Sequence, residues 1–219
     1  MSVAPDAEEP ARGPASAPAS ASEPAPAAVP VPAPAAVLVP APVPASVVRL
    51  LATAARHGVR APAYRRLHAG YRVRRLARLL DLSSRQVVAV GRDTWRADAF
   101  RAAGARCLVV EPAAAVGAQP PSGGGERVVA DGYWLPVKDA AADLAYCDAA
   151  FPRAPDAVGI LDELARITRV GGLVCLSLTG ARRPVVRLLR HRTDLTLLTR
   201  LAAAPLPRRR AELVLRRTA

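Results

Sequence analysis

The chain is poor in aromatic side chains and has almost no lysine. Aromatic residues make up 4% of its 219 residues, and Lys138 is the only lysine among 31 basic residues. Proteins that bind single-stranded nucleic acid combine basic charge with aromatic side chains that stack on bases. Only Tyr64 and Tyr71 lie among the arginines of residues 46–85. The net charge of +13 therefore allows nucleic-acid binding, but arginine-rich, alanine-rich composition is the simpler interpretation, and the sequence does not favour such a partner.

Long apolar runs and clustered cysteines are missing as well. No uninterrupted stretch of 18 or more apolar residues occurs, which excludes an ordinary membrane-spanning helix. The beginning of the chain is acidic and carries no secretory signal, so we expect a cytoplasmic protein. Cys107, Cys147 and Cys175 lie far apart and share no metal-ligand spacing. We predict no metal site and three buried free thiols in strands.

Proline is unevenly distributed and defines the domain organisation. Most of the 22 prolines precede residue 46, in a segment of alanine, proline, valine and serine. Proline fixes φ and removes a backbone donor, so residues 1–45 are predicted to be a disordered tail. Residues 46–84 are predicted to be a basic helical segment, and residues 85–219 a single α/β domain. Basic charge is concentrated in two flanks, with ten arginines against one aspartate in 46–85 and eleven against two acids in 180–219.

Strand and helix patterns alternate from residue 86 onward. Continuous apolar runs are typical of strands covered on both faces, and alternation of this kind favours a doubly wound parallel sheet. The C-terminal runs are close enough to form an antiparallel pair. The predicted strands cover 86–91, 105–111, 127–131, 142–147, 173–179, 194–202 and 211–218, and the predicted helices cover 46–58, 61–83, 95–104, 156–172 and 185–190, with one weak helical turn in 113–126.

An ordered series of short motifs follows the third predicted strand. That strand ends in Asp131, and Leu135-Pro136 and Asp143-Leu144 follow in turn. A helix with the sequence "ELARITRVGG" comes next, at residues 163–172. In this order the motifs resemble the class I S-adenosylmethionine-dependent methyltransferases, specifically the type 11 domain, over about residues 85–180. The resemblance implies a Rossmann-like sheet of seven strands in the order 3-2-1-4-5-7-6, with strand 7 antiparallel.

The resemblance also implies where the cofactor S-adenosyl-L-methionine would lie. In this family it lies across the carboxyl ends of strands 1 to 4. Glu111, at the end of strand 2, would accept both ribose hydroxyls. Asp131 would reach the adenine amino group, and Gly132 would let the backbone approach the ring. Tyr133 or Trp134 would cover the ring, or would instead pack under the following loop.

The first loop departs from the family pattern. Family members have an aspartate in strand 1 and then a Gly-x-Gly-x-Gly loop that holds the methionine tail. Here Ala89 replaces that aspartate, Gly91 keeps the first glycine, and Asp93 and Trp95 occupy the other two glycine positions. An acid and a bulky side chain at these positions oppose tail binding. We expect Asp93 or Thr94 to cap the following helix.

The sequence identifies no catalytic residue. Asp148, just after strand 4, is a candidate cofactor contact, a candidate base, or an acid that only caps its loop. Arg92 is a candidate compensating charge for the tail. Methyl transfer is an in-line attack on a sulfonium, which positioning alone accelerates, and a base is needed only where the acceptor must lose a proton.

Three functions remain open at this point. The first is a methyltransferase-like protein that acts on an unidentified acceptor, with reduced or lost activity because of the altered loop. The second is a non-catalytic module of the same fold whose arginine-rich flanks bind a protein or a polyanion. The third, a dehydrogenase-like nucleotide domain, is disfavoured because Gly91 is not followed by a Gly-x-x-Gly pattern.

Overall fold

The computed structural model describes residues 44–91, 93–111, 125–148, 157–179, 183–202 and 210–219. The predicted tail, except for its last two residues, and the predicted weak helical turn, except for Gly125 and Glu126, lie outside these ranges. Arg92 lies outside them too. The predicted boundary between helical segment and domain at residue 84 stays a prediction.

Five helices and seven strands make up the described chain. The helices are α1 (Ala45–His57), α2 (Pro62–Leu76), α3 (Thr94–Ala102), α4 (Ala157–Ile167) and α5 (Arg183–Leu189). The strands are β1 (Gln86–Val90), β2 (Arg106–Glu111), β3 (Arg127–Val129), β4 (Ala142–Asp148), β5 (Thr168–Thr179), β6 (Leu195–Ala202) and β7 (Arg210–Arg217).

The seven strands form one sheet in the order β3-β2-β1-β4-β5-β7-β6. Strands β1 to β5 are parallel, and β7 runs antiparallel to both β5 and β6. The predicted fold class and strand order are therefore confirmed. Because the first four strands are parallel, their carboxyl ends meet at one edge of the sheet, which we call the carboxyl edge.

Two apolar cores cover the two faces of this sheet, as expected of a doubly wound fold. One contains Leu161 and Leu164 of α4 together with Val174 of β5. The other contains Val73 of α2 and Phe100 of α3, packed on the opposite face. The helical N-terminal segment thus contributes side chains to the same core as the sheet.

Three predicted boundaries were wrong. Helix α2 ends at Leu76 rather than at residue 83, and β3 ends at Val129 rather than at Asp131. Helix α4 ends at Ile167, because residues from Thr168 onward already belong to β5. Thr168 pairs with Ala142 across a register shift in the β4–β5 ladder, and Gly171 takes a φ of +80° there. Gly171 and Gly172 thus lie in the irregular first residues of β5 and do not end α4.

The cysteines behave as predicted. Cys107, Cys147 and Cys175 are free and buried. Burial raises the pKa of Cys107 to about 11 and that of Cys175 well above its ordinary value, so both thiols are protonated at neutral pH. No helix in the described residues is long and apolar enough to cross a membrane. The same residues contain no cluster of side chains that could hold a metal ion.

Candidate cofactor site at the carboxyl edge

Three of the predicted site residues lie side by side at the carboxyl edge. Val90 pairs with Val110 in β2 and with Cys147 in β4. The next residue on each of these three strands is Gly91, Glu111 or Asp148, respectively. Neighbouring strands lie about 4.8 Å apart, so these residues form one row across the tips of β2, β1 and β4.

Gly91 is where the chain leaves the sheet, and its conformation requires glycine. Its φ is +138°, and its N–H donates to the Val110 carbonyl oxygen at 3.0 Å. A Cβ at this position would lie 2.9 Å from the backbone oxygen of Asp148. The glycine therefore allows the tips of β1 and β4 to approach closely, and any larger residue would push them apart.

A cleft opens directly beside Gly91, on the face covered by α2 and α3. Its empty space is about 210 Å³ with open solvent included. The lining residues come from three strand ends and the start of α3: Ala89, Val90, Gly91, Asp93, Arg96, Val109, Tyr146 and Asp148.

Asp93 lines this cleft but does not cap α3, so that expectation was wrong for its side chain. Asp93 occupies the N-cap position without a side-chain cap hydrogen bond, and Thr94 is already the first helical residue. The Asp93 carboxylate instead accepts from Arg96 Nη2 at 3.0 Å. The acid that opposes a ligand carboxylate is therefore paired, and the pairing cation is Arg96, one turn into the helix.

Trp95 does not line the cleft, although it replaces a glycine of the family loop. The Arg66 guanidinium of α2 stacks over the Trp95 ring at 4.7 Å from its centroid. This contact directs the ring toward α2. Of the two residues predicted to obstruct the methionine tail, Asp93 and Trp95, only Asp93 therefore lines the cleft.

Arg96 belongs to a buried charged network under the cleft. Arg72 of α2 and Arg96 of α3 both form ion pairs with Glu212 of β7, and each of the three side chains is at most 2% exposed. Tyr146 donates to Glu212 Oε1 at 3.0 Å, and Arg72 Nη2 donates to Ser177 Oγ at 3.0 Å. Partnered charges are tolerated in a protein interior, and removal of one partner is costly. The network fixes α2 and α3 on the sheet beneath the cleft.

Glu111 is buried at the tip of β2 and already has one partner. Its Oε1 lies 3.0 Å from Arg127 Nη1 in the neighbouring strand β3. An ionised carboxylate has about four acceptor positions, so one ion pair leaves capacity for hydroxyl donors. The position fits the ribose contact that the resemblance implies.

Asp131 and the residues after it form a turn beyond the end of β3. The Tyr133 backbone N–H donates to Asp131 Oδ1 at 3.0 Å. Trp134 is 69% exposed and Tyr133 is 36% exposed, which excludes packing of Trp134 under the following loop. Gly132 has only ordinary contacts to Ile160 at its Cβ position, 3.6 Å at the nearest. A small side chain would therefore also fit at position 132.

Two residues that the sequence analysis left without a role hold this turn in place. Arg166 of α4 donates to the carbonyl oxygens of Leu135 and Val137 at 3.0 and 2.9 Å. Glu163 accepts the Leu135 N–H at 2.9 Å and two hydrogen bonds from Arg166, both at 2.8 Å. The Leu-Pro motif and the "ELAR" motif, which are far apart in sequence, thus contact each other. The i, i+3 spacing of an acid and an arginine on one helix was the available signal.

Comparison with known proteins agrees with this geometry. Residues 80–176 match the model of a family described as "Methyltransferase domain". This region is therefore similar to a methyltransferase domain. The match covers the first four strands and most of the fifth, and the sheet order extends the same fold to β6 and β7. No curated protein matches the chain.

Solved structures share the methyltransferase fold at low sequence identity. A methyltransferase from Mesorhizobium loti aligns with a TM-score of 0.53 and 14% identity, covering 68% of this chain and 98% of that one. Magnesium protoporphyrin IX methyltransferase from Synechocystis, solved with bound S-adenosylmethionine, aligns at 0.52 and 16%, covering 70% and 79%. A chain of the complex between the Haloferax volcanii Trm112 methyltransferase activator and a methyltransferase aligns at 0.52 and 17%, covering 78% and 95%.

The described residues fit the two ends of S-adenosylmethionine differently. At the adenosine end, Glu111 has free acceptor positions at the tip of β2, and Asp131 and Gly132 lie in the turn after the neighbouring strand β3. At the methionine end, the Asp93–Arg96 pair occupies the position of a glycine turn. Its charges are balanced, so it opposes the zwitterionic tail mainly by the space that it fills.

Proposed function

We propose that this chain binds S-adenosyl-L-methionine at the carboxyl edge and transfers its methyl group to an acceptor, with an affinity reduced by the Asp93–Arg96 pair. The observation that carries the proposal is the row Gly91, Glu111 and Asp148 in a sheet of methyltransferase order. The two acids of this row lie at the tips of β2 and β4, on either side of Gly91.

Each residue of the row has a distinct part in this proposal. Glu111 binds the ribose hydroxyls, and the turn of Asp131 and Gly132 binds the adenine. Gly91 has no side chain, which leaves room for the cofactor to cross the tip of β1. Asp148 lines the cleft beside the Gly91 turn.

The cofactor supplies an activated methyl group on a sulfonium, and the protein supplies position. Charge that is preorganised around the reacting centre lowers the barrier, because it needs no reorganisation during the reaction. Asp148, the acid nearest to Gly91 on the neighbouring strand, is suited to stabilise the positive sulfonium or to accept a proton from the acceptor.

Isothermal titration with S-adenosylmethionine and S-adenosylhomocysteine tests the proposal, and two variants make it specific. Glu111→Gln removes the charged acceptor of the ribose, whereas Arg127→Gln removes only its partner. We expect Glu111→Gln to weaken binding about tenfold to hundredfold, the value of a hydrogen bond to a charged group. Arg127→Gln is expected to change the affinity by less than about threefold, since the carboxylate itself remains.

Equal losses in the two variants would show that Glu111 acts only as the structural partner of Arg127. Absence of heat with either ligand at millimolar concentration, in a protein that is folded by circular dichroism, would contradict the proposal as a whole.

One observation favours a second candidate, a methyltransferase-fold module that does not transfer methyl groups. The Asp93 side chain lies in the small cleft where the family has glycine, and the residues below it are occupied with one another. On this hypothesis the sheet is a scaffold for surface interactions. A chain that binds neither ligand but keeps its fold and its surface partner would favour this candidate.

A further inference from the structure

The two ends of the candidate cofactor site differ in what they offer to a ligand. At the adenosine end, Glu111 is buried, and its one described ion pair leaves acceptor positions for hydroxyl groups. At the other end, the described lining of the cleft contains two carboxylates, Asp93 and Asp148, and one cation, Arg96. A ligand that carries its own carboxylate needs hydrogen-bond donors at this second end.

The side-chain donors in the described lining of the cleft are engaged, apart from one buried nitrogen. Arg96 Nη1 donates to Glu212 at 3.1 Å, and its Nη2 donates to Asp93 at 3.0 Å. The Tyr146 hydroxyl donates to Glu212 at 3.0 Å, and the Gly91 N–H donates to a carbonyl oxygen of β2. Arg96 Nε has no partner among the described residues, but it is buried, so a ligand reaches it only if the side chain moves.

The amino-acid tail of S-adenosylmethionine is therefore poorly matched to this end of the site. The Asp93 side chain fills space in the cleft, and the Arg96 guanidinium is already paired with two carboxylates. Burial of a charged group costs free energy unless the group is paired and hydrogen-bonded. A ligand carboxylate would have to displace Asp93 to reach Arg96, and the displaced carboxylate would then lose its own partner.

A short apolar group meets no such penalty in the cleft. Val90 and Val109 belong to its lining, and burial of an alkyl group against apolar side chains is favourable. A methyl group on a sulfur at the 5′ carbon of adenosine is small, uncharged and apolar. Such a nucleoside keeps the ribose hydroxyls and the adenine. These are the groups that Glu111 and the turn of Asp131 and Gly132 bind in the proposed function.

We propose that the carboxyl edge selects 5′-thioethers of adenosine that lack an amino-acid tail over S-adenosylhomocysteine. This selectivity rests on the proposed function, since it uses the same contacts to the adenosine. It adds a class of ligand, because neutral nucleosides of this kind compete with S-adenosylmethionine for the site. The selectivity follows from an acid with free acceptor positions at one end of the site and an arginine that is already paired at the other.

Isothermal titration with 5′-methylthioadenosine and with S-adenosylhomocysteine tests the proposal. Both ligands contain the adenosine and the sulfur, so the ratio of their dissociation constants reports on the tail. The test variant, Asp93→Gly, removes the side chain from the cleft. The control, Asp98→Gly, removes an acid that also forms an i, i+3 ion pair with an arginine of α3, Arg101, but does not line the cleft. Circular dichroism confirms that each variant is folded.

We expect 5′-methylthioadenosine to bind the parent protein at least as tightly as S-adenosylhomocysteine does. Asp93→Gly should strengthen the binding of S-adenosylhomocysteine about tenfold and change that of 5′-methylthioadenosine by less than about twofold, because only the longer ligand extends into the space of the side chain. Asp98→Gly should keep the ratio of the parent, because loss of an ion pair away from the cleft affects both ligands alike.

Two outcomes would overturn the selectivity alone. Tighter binding of S-adenosylhomocysteine than of 5′-methylthioadenosine to the parent would do so and would leave the cofactor proposal in place. An unchanged ratio in Asp93→Gly would do so as well, because Asp93 would then not act on the tail. Binding of 5′-methylthioadenosine alone would support the selectivity and contradict methyl transfer from S-adenosylmethionine. Absence of binding by both ligands would contradict the proposed function, and the selectivity with it.

Discussion

At the scale of single residues, the altered loop is less disruptive than its sequence indicates. The Trp95 ring stacks against the Arg66 guanidinium of α2, and the Asp93 carboxylate is ion-paired with Arg96. The sequence predicted both substitutions as obstacles, because spacing alone shows which positions have lost glycine but not where the new side chains point. Only Gly91, which must pass close to Asp148, keeps its family role by geometry.

Replacement of Asp93 tests how much of the remaining obstruction is steric. Asp93→Gly removes both the volume and the charge, whereas Asp93→Asn removes only the charge. We expect Asp93→Gly to raise the affinity for S-adenosylhomocysteine by about tenfold, about 1.4 kcal/mol, and Asp93→Asn to leave it nearly unchanged. The measurement is isothermal titration of the three proteins under one condition.

A gain in Asp93→Asn equal to that in Asp93→Gly would show that charge, not volume, limits binding. Loss of affinity in Asp93→Gly would contradict the steric account, because Asp93 would then be a ligand contact.

At the scale of secondary-structure elements, the contact between α4 and the turn after β3 connects the motifs on which the family resemblance depends. Sequence order predicted each motif, and periodicity predicted the strands and helices within a few residues. We call the hydrogen bonds of Glu163 and Arg166 to the turn after β3 the clamp. It was not predictable, because it joins these side chains to backbone groups about 30 residues away. Long-range hydrogen bonds to backbone leave no pattern in a single sequence.

The clamp gives stability a defined dependence on pH. Hydrogen bonds from Arg166, assisted by the Leu135 N–H, hold the pKa of Glu163 below its ordinary value of 4.5. A lowered pKa means that the contribution is present at neutral pH and is lost as the pH falls below about 4.5 toward the folded value. Glu163→Gln should therefore cost about 1 to 3 kcal/mol near pH 7, and the difference from the parent should shrink near pH 3.

Urea denaturation at both pH values measures this difference. Glu126→Gln is the matched control, because Glu126 is exposed and should show little difference at either pH. A Glu163→Gln deficit that stays constant from neutral to acid pH would contradict the assignment of the charged clamp.

At the scale of the whole molecule, the fold followed from sequence while the internal charge network did not. Alternation of strands and helices predicted a parallel sheet, since parallel strands need crossovers, and the family resemblance implied the strand order. Arg72, Arg96 and Glu212 come from α2, α3 and β7, and their side chains meet only when these elements are packed. Formal charge does not show which charges meet in the interior and which stay exposed.

Hydrogen exchange measured by mass spectrometry, with and without S-adenosylhomocysteine, tests the central claim most directly. The account predicts slower exchange in three places at once: the turn at Gly91, the end of β2 at Glu111, and the turn from Asp131 to Leu135. Peptides from β6 and β7 should exchange at the same rate in both samples. Unchanged exchange at all three places with saturating ligand, or protection confined to other parts of the chain, would contradict a cofactor site at the carboxyl edge.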